Sequence, residues 1–132
     1  MVGEELTDGE RIARLLSSEV HGHERGALGR LAVVDATADV EPTEAGVFAY
    51  AVADDEHRIA EVYVHPDRAH VEFRAAVGAA AEAGQRAGLR VRPKAVEPPR
   101  TLVFVESGAE VKPALRVVRA VGEAVEESGE RT

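Results

Sequence analysis

The segment Thr101–Glu106 sets Leu102, Val103, Phe104 and Val105 in unbroken succession. Successive side chains of a strand point to opposite faces, so this run leaves no polar side and needs cover on both. It is therefore expected as an interior strand around which a sheet is built. Leu89–Lys94 reads as a second strand, joined to the first by the Pro-rich loop Ala95–Arg100. The short connection predicts that the two pair as a hairpin.

The remaining elements follow from periodicity. Thr7 and Glu10 form a Thr-x-x-Glu capping box, and Ile12, Leu15, Leu16 and Val20 follow at helical spacing. This predicts a helix over 8–20, ended near Gly22. Strands are expected at 28–35, 47–53 and 58–64, the last two joined by the polar turn Asp54-Asp55-Glu56. Pro66-Asp67 suits a type I turn. Beyond it, His70-Val71-Glu72-Phe73 alternates as a half-buried strand would, although Asp67 capping a helix through to Ala87 is the competing reading. The alternation favours a strand at 69–73 and a small-faced helix at 74–87, stopped by Gly88. Ser107 and Glu110 repeat the capping box before Val111, Leu115, Val118, Val121 and Val125. Pro113 opposes a regular helix from Gly108, so an irregular first turn or a start near Lys112 is expected.

These elements predict one α+β domain over residues 1–132, with frayed ends at 1–6 and 127–132. The order is α-β-β-β-β-α-β-β-α, with an antiparallel-rich sheet of about six strands and the helices largely on one face. A chain of 132 residues suffices for one core. Aromatic residues make up only 4%, so Val, Leu and Ala must fill it. The absence of cysteine removes disulfides, thiol nucleophiles and Cys-based zinc sites. No apolar run reaches the ~18 residues of a membrane span, and the start MVGEELTDGE is polar and acidic, unlike a signal peptide. A cytoplasmic protein without a cofactor is expected.

Charge is unevenly spread. The chain has 24 acidic and 16 basic residues, only two of them lysine, for a net −8. Yet Gln85–Ala120 holds eight basic residues against three acids. Such asymmetry marks a candidate anion-binding surface. Its expected members are Arg92, Lys94 and Arg100 on the hairpin with Ser107, Gly108 and Lys112 at the following helix start, where free N–H groups favour an anion. A solvated basic strand beside a capped helix explains the same residues without a ligand. A second cluster, His65, Asp67, Arg68 and His70, has acid–base groups at one turn, but turn chemistry alone accounts for Pro66 and Asp67. Ser107 lacks a nucleophile elbow, so no catalytic residue is assigned. His21 and His23 share a face only in an extended segment, and no His pair lies at i, i+4, so no metal site is expected. The net charge and few aromatic residues disfavour nucleic acid. The partners that remain are another protein or a small anion.

Two resemblances accompany these residues. Residues 62–89, VYVHPDR…AAAEAGQRAGL, resemble the cofactor-binding stretch of acetyl-CoA-dependent N-acetyltransferases. In that family Arg-x-x-Gly-x-Gly/Ala presents backbone N–H groups to a pyrophosphate. Here Val71 and Phe73 stand where the glycines would be, and Glu72 would repel phosphate. The whole chain is similar to a family of small haloarchaeal proteins of unknown function, through its HPDRAHVEF and PPRTLVFVESG segments. That likeness implies a salt-adapted domain and lends no functional residue. The expectation is thus a non-enzymatic interaction or small-anion-binding module. A degenerate acetyltransferase, or an acyl-CoA- or nucleotide-binding protein, is the alternative.

Overall fold

The computed structural model describes residues 8–22, 31–55 and 57–128. Helix α1 (Gly9–Gly22) leads into strands β1 (Leu31–Val34), β2 (Val47–Asp54), β3 (His57–Val64) and β4 (Ala69–Phe73). Helix α2 (Val77–Arg86), the hairpin β5 (Val91–Lys94) and β6 (Arg100–Val105), and helix α3 (Val111–Ser128) complete the order. The six strands form one sheet ordered β1-β2-β3-β4-β6-β5, with every neighbouring pair antiparallel. The expected α+β class and element order are met. β6 lies between β4 and β5, as its apolar run requires.

All three helices cover one face. α1 packs on β1, β3 and β4, α2 on β5 and β6, and α3 touches both other helices. The core between the layers is built from Ile12 and Leu16 of α1, Val117, Val118 and Val121 of α3, and Val62, Val71, Phe73, Val103 and Val105 of the sheet. Small residues let the layers approach. A Cβ at Gly84 of α2 would lie 2.6 Å from a Val91 methyl, so glycine is what admits the β5–β6 hairpin to this helix.

The boundaries differ from expectation for local reasons. The Thr7 half of the first capping box lies outside the described residues, and Asp8 Oδ1 accepts the Arg11 N–H at 3.1 Å in the capping role. α1 runs on to Gly22, and the expected strand start at 28–30 and His23 also fall outside the described residues. α2 begins at Val77 rather than 74, because the Arg74 N–H still bonds the Ile59 carbonyl at 2.9 Å and extends the β3–β4 ladder. Leu89 belongs to the helix end, its N–H bonding the Gly84 carbonyl at 3.0 Å, so β5 starts at Val91. A 3-10 turn, Gly108–Glu110, precedes α3 and leaves Pro113 in the first α-helical turn, where its missing N–H costs nothing. α3 continues to Ser128, past the expected fraying point.

Val103 is fully buried and paired on both sides, with Val71 and Val91. Val103→Asp would place an unpaired charge there at a cost on the order of several kcal/mol. The expected result is loss of a cooperative thermal melt; a normal melt would refute the interior placement.

Candidate functional site

The other face of the sheet carries no helix among the described residues, and its side chains arrange in rows across the strands. One row is aromatic. Phe48, Tyr63, His70 and Phe104 are successive cross-strand partners, with ring centroids 6.0, 5.0 and 5.5 Å apart. Arg90 closes the row, its guanidinium 4.2 Å from the Phe104 centroid. The next row sets Glu61 directly opposite Glu72. Like charges in that position repel, and both residues are buried, at 7% and 4% exposure.

Cations from four segments surround these carboxylates. Arg100 Nη1 of β6 donates to Glu61 at 3.2 Å and Glu72 at 2.9 Å, bridging the opposed pair. Arg58 of β3 and Arg74 after β4 donate to Glu61 Oε2 at 3.1 and 3.2 Å. Lys94 of β5 donates to Glu72 Oε2 at 3.2 Å, and Arg58 also pairs with Asp35. The Tyr63 hydroxyl donates to Glu61 Oε1 at 3.1 Å. Burial alone would raise the Glu72 carboxyl, but hydrogen bonds from Arg100 and Lys94 outweigh it and hold the group below its usual range. Tyr63 is raised by burial and by the nearby Glu61 and Glu72 charges.

A histidine pair adjoins Glu72. His65 Nδ1 lies 2.9 Å from the Glu44 carbonyl, His65 Nε2 lies 2.8 Å from His70 Nδ1, and His70 Nε2 lies 3.4 Å from Glu72 Oε2. Burial lowers the His70 pKa to about 4. Gly46, at φ +96°, seals the pair from the β1–β2 loop; a Cβ there would sit 2.9 Å from the His65 ring.

At the rim, Arg58, Arg74 and Arg100 line an open cleft of about 510 Å³ with His57, Ala75, Pro98 and Pro99. A second cleft, about 400 Å³, lies between α1 and the segment after β1, where the charged Glu10 and Arg14 pair with each other.

The structure divides the expected anion residues. Lys94 and Arg100 meet at Glu72 from the adjoining row, while Arg92 stands opposite Leu102 at the β5 end of the Glu61–Glu72 row itself. Ser107, Gly108 and Lys112 lie past the other end of β6, about 20 Å from Arg100 along a strand of this length. There Ser107 is buried and makes no side-chain cap bond, and Glu110 Oε1 accepts the Glu106 N–H at 2.8 Å. Of the second cluster, His65 and His70 come together, whereas Asp67 is exposed and pairs with Arg68 at 2.8 Å. Both histidines are buried, at 4% and 5% exposure, and neither lines the rim cleft. Ala69–Phe73, the stretch compared with a pyrophosphate loop, is β4; its backbone is engaged by β3 on one side and β6 on the other. No group of three metal-ligating side chains and no helix long and apolar enough to cross a membrane occurs among the described residues.

Sequence reasoning missed Glu61, Tyr63, Glu72, Arg58 and Arg74. A signal was present. Glu61 and Glu72, like Tyr63 and His70, are equidistant from the Pro66-Asp67 turn, so antiparallel pairing of the expected strands already opposes them.

Both titrating neighbours make stability fall in acid. His70 binds its proton more weakly folded than unfolded, so its contribution is full above about pH 6.5, declines below it and is exhausted near pH 4. The depressed Glu72 adds loss at the acid end of that window. Urea midpoints are expected to fall from pH 7 to pH 4, with a shallower upper part in His70→Gln. Midpoints that stay level across the window would contradict this.

The chain belongs to a family of unknown function (DUF7993), whose model matches residues 1–132. No curated protein and no solved structure matches it.

Proposed function

For this member of DUF7993, we propose a small-anion-binding domain whose site is the rim cleft of Arg58, Arg74 and Arg100. One observation carries the reading: three guanidinium groups from separate segments meet at one concave surface of a chain with net charge −8. Each guanidinium has five N–H donors in a planar fork suited to carboxylate and phosphate oxygens. Glu61 at the base positions the three groups and leaves donors over. Arg74 is the most available, with one described bond to Glu61 and a side chain 39% exposed. Ala75, Pro98 and Pro99 supply an apolar wall, so the ligand class is a small carboxylate or phosphate carrying a compact apolar part.

Of the residues first expected on an anion surface, Arg100 lines this cleft, Lys94 supports it through Glu72, and Arg92 lies outside it. The acetyl-CoA alternative gains no support, since the β4 backbone is engaged in the sheet. The reading is of a binding site, since the lining is mostly guanidinium and proline groups, with His57 beside them.

Calorimetry with phosphate, citrate, nucleotides, acyl-CoA and phosphorylated metabolites tests the reading. One-to-one binding below millimolar is expected for at least one of them. Arg74→Ala is expected to weaken it about tenfold, the loss of one charge-assisted contact of roughly 1.4 kcal/mol, with Arg92→Ala unchanged. Absence of any sub-millimolar ligand, or equal binding by Arg74→Ala, would refute the site.

A further inference from the structure

The chain Glu44 carbonyl–His65–His70–Glu72 has three hydrogen-bond gaps and a fixed donor logic. The Glu44 carbonyl only accepts, so His65 Nδ1 must carry a proton and donate across the 2.9 Å gap. A neutral His65 then presents a bare Nε2, which must accept from His70 Nδ1 across 2.8 Å. A neutral His70 in turn presents a bare Nε2 to the Glu72 carboxylate, lone pair against lone pair. Two neutral imidazoles thus fill two gaps and leave the third without a proton. That third gap is the long one, 3.4 Å, and Lys94 Nζ and Arg100 Nη1 take up the Glu72 oxygens instead.

We propose that His65, His70 and Glu72 form a binding site for one proton, taken up between His70 Nε2 and Glu72 Oε2. The bound proton completes the chain, gives the His pair a positive charge and makes Glu72 its partner. Glu72 Oε2, which Lys94 now holds, is the oxygen the new bond uses, so His70 and Lys94 share it once the proton enters. The outer face thereby gains one positive charge in acid.

Every group facing the pair bears on that midpoint. Tyr63 stacks on His70 from β3 at 5.0 Å, and Phe104 of β6 closes the other side at 5.5 Å. Arg90 covers Phe104, and Glu61 lies opposite Glu72. Lys94 and Arg100 approach from β5 and β6, and Asp67 and Arg68 stand on the adjoining turn. Burial and the Lys94 charge act against the added proton, while Glu72 favours it. The site does not require an anion in the cleft.

Histidine side-chain nitrogen NMR tests this on the full chain without ligand, with resonances assigned by His→Gln variants. At pH 7 both His65 and His70 are expected as Nδ1–H tautomers. On acidification a single proton is expected to enter at His70, near pH 4, and Lys94→Met is expected to move that midpoint upward. An Nε2–H tautomer for either ring at pH 7, uptake of two protons in the transition, or an unmoved midpoint in Lys94→Met would each overturn the proposal.

Discussion

Two carboxylates opposed across β3 and β4 set the terms for the outer half of this molecule. Glu61 and Glu72 are buried and directly opposite, an arrangement that repels and that water cannot relieve. Arg100 answers it by donating one terminal nitrogen to both. Arg58, Arg74 and Lys94 complete the enclosure from β3, from the segment after β4 and from β5. This accounts for the edge strand β5: beyond pairing with β6, it carries Lys94 to Glu72. It also accounts for Arg74 staying on the β3–β4 ladder when the chain was expected to turn into α2. In proteins generally, replacing a buried ion pair by apolar residues of similar size is often neutral or stabilising. In the proposed reading the charges are positioning devices that fix guanidinium groups at the rim.

The inner face is built on the opposite plan. Val, Ala and a few Leu and Ile fill it, with Phe73 and Tyr50 as its aromatic members among the described residues. The Tyr50 hydroxyl reaches the Ala13 carbonyl at 2.6 Å, tying β2 to α1, and its burial drives the phenol pKa far up. The remaining aromatic rings, Phe48, Tyr63 and Phe104, stand outside, where Arg58 and Arg90 lie over two of them. Arginine stems thus supply the cover that helices supply on the other side.

The sequence was legible where one element decides the matter. The Leu102–Val105 run placed β6 in the interior, and the alternation His70–Phe73 correctly favoured a strand over a helix. The helix signals lay within a few residues of the observed ends. The candidate site was legible only in part, because it is made of pairings between elements. Ser107, Gly108 and Lys112 were grouped with Arg92, Lys94 and Arg100 by nearness in sequence, which an extended strand converts into distance in space. Glu61 and Glu72 carry no signal as single positions on their strands. Their opposition appears only when both strands are folded about the Pro66-Asp67 turn. Arg58 and Arg74 carried no pattern of their own; the carboxylates they serve are what select them.

The most direct test is a double-mutant cycle on the central bridge, Arg100→Met with Glu72→Gln, by urea unfolding at pH 7. Arg100→Met is expected to cost about 3 kcal/mol, because it leaves two buried carboxylates facing each other. Glu72→Gln should relieve that repulsion, so the double variant loses less than the sum of the singles by about 1–2 kcal/mol. Losses that add to within about 0.5 kcal/mol would mean the opposed carboxylates do not constrain this face.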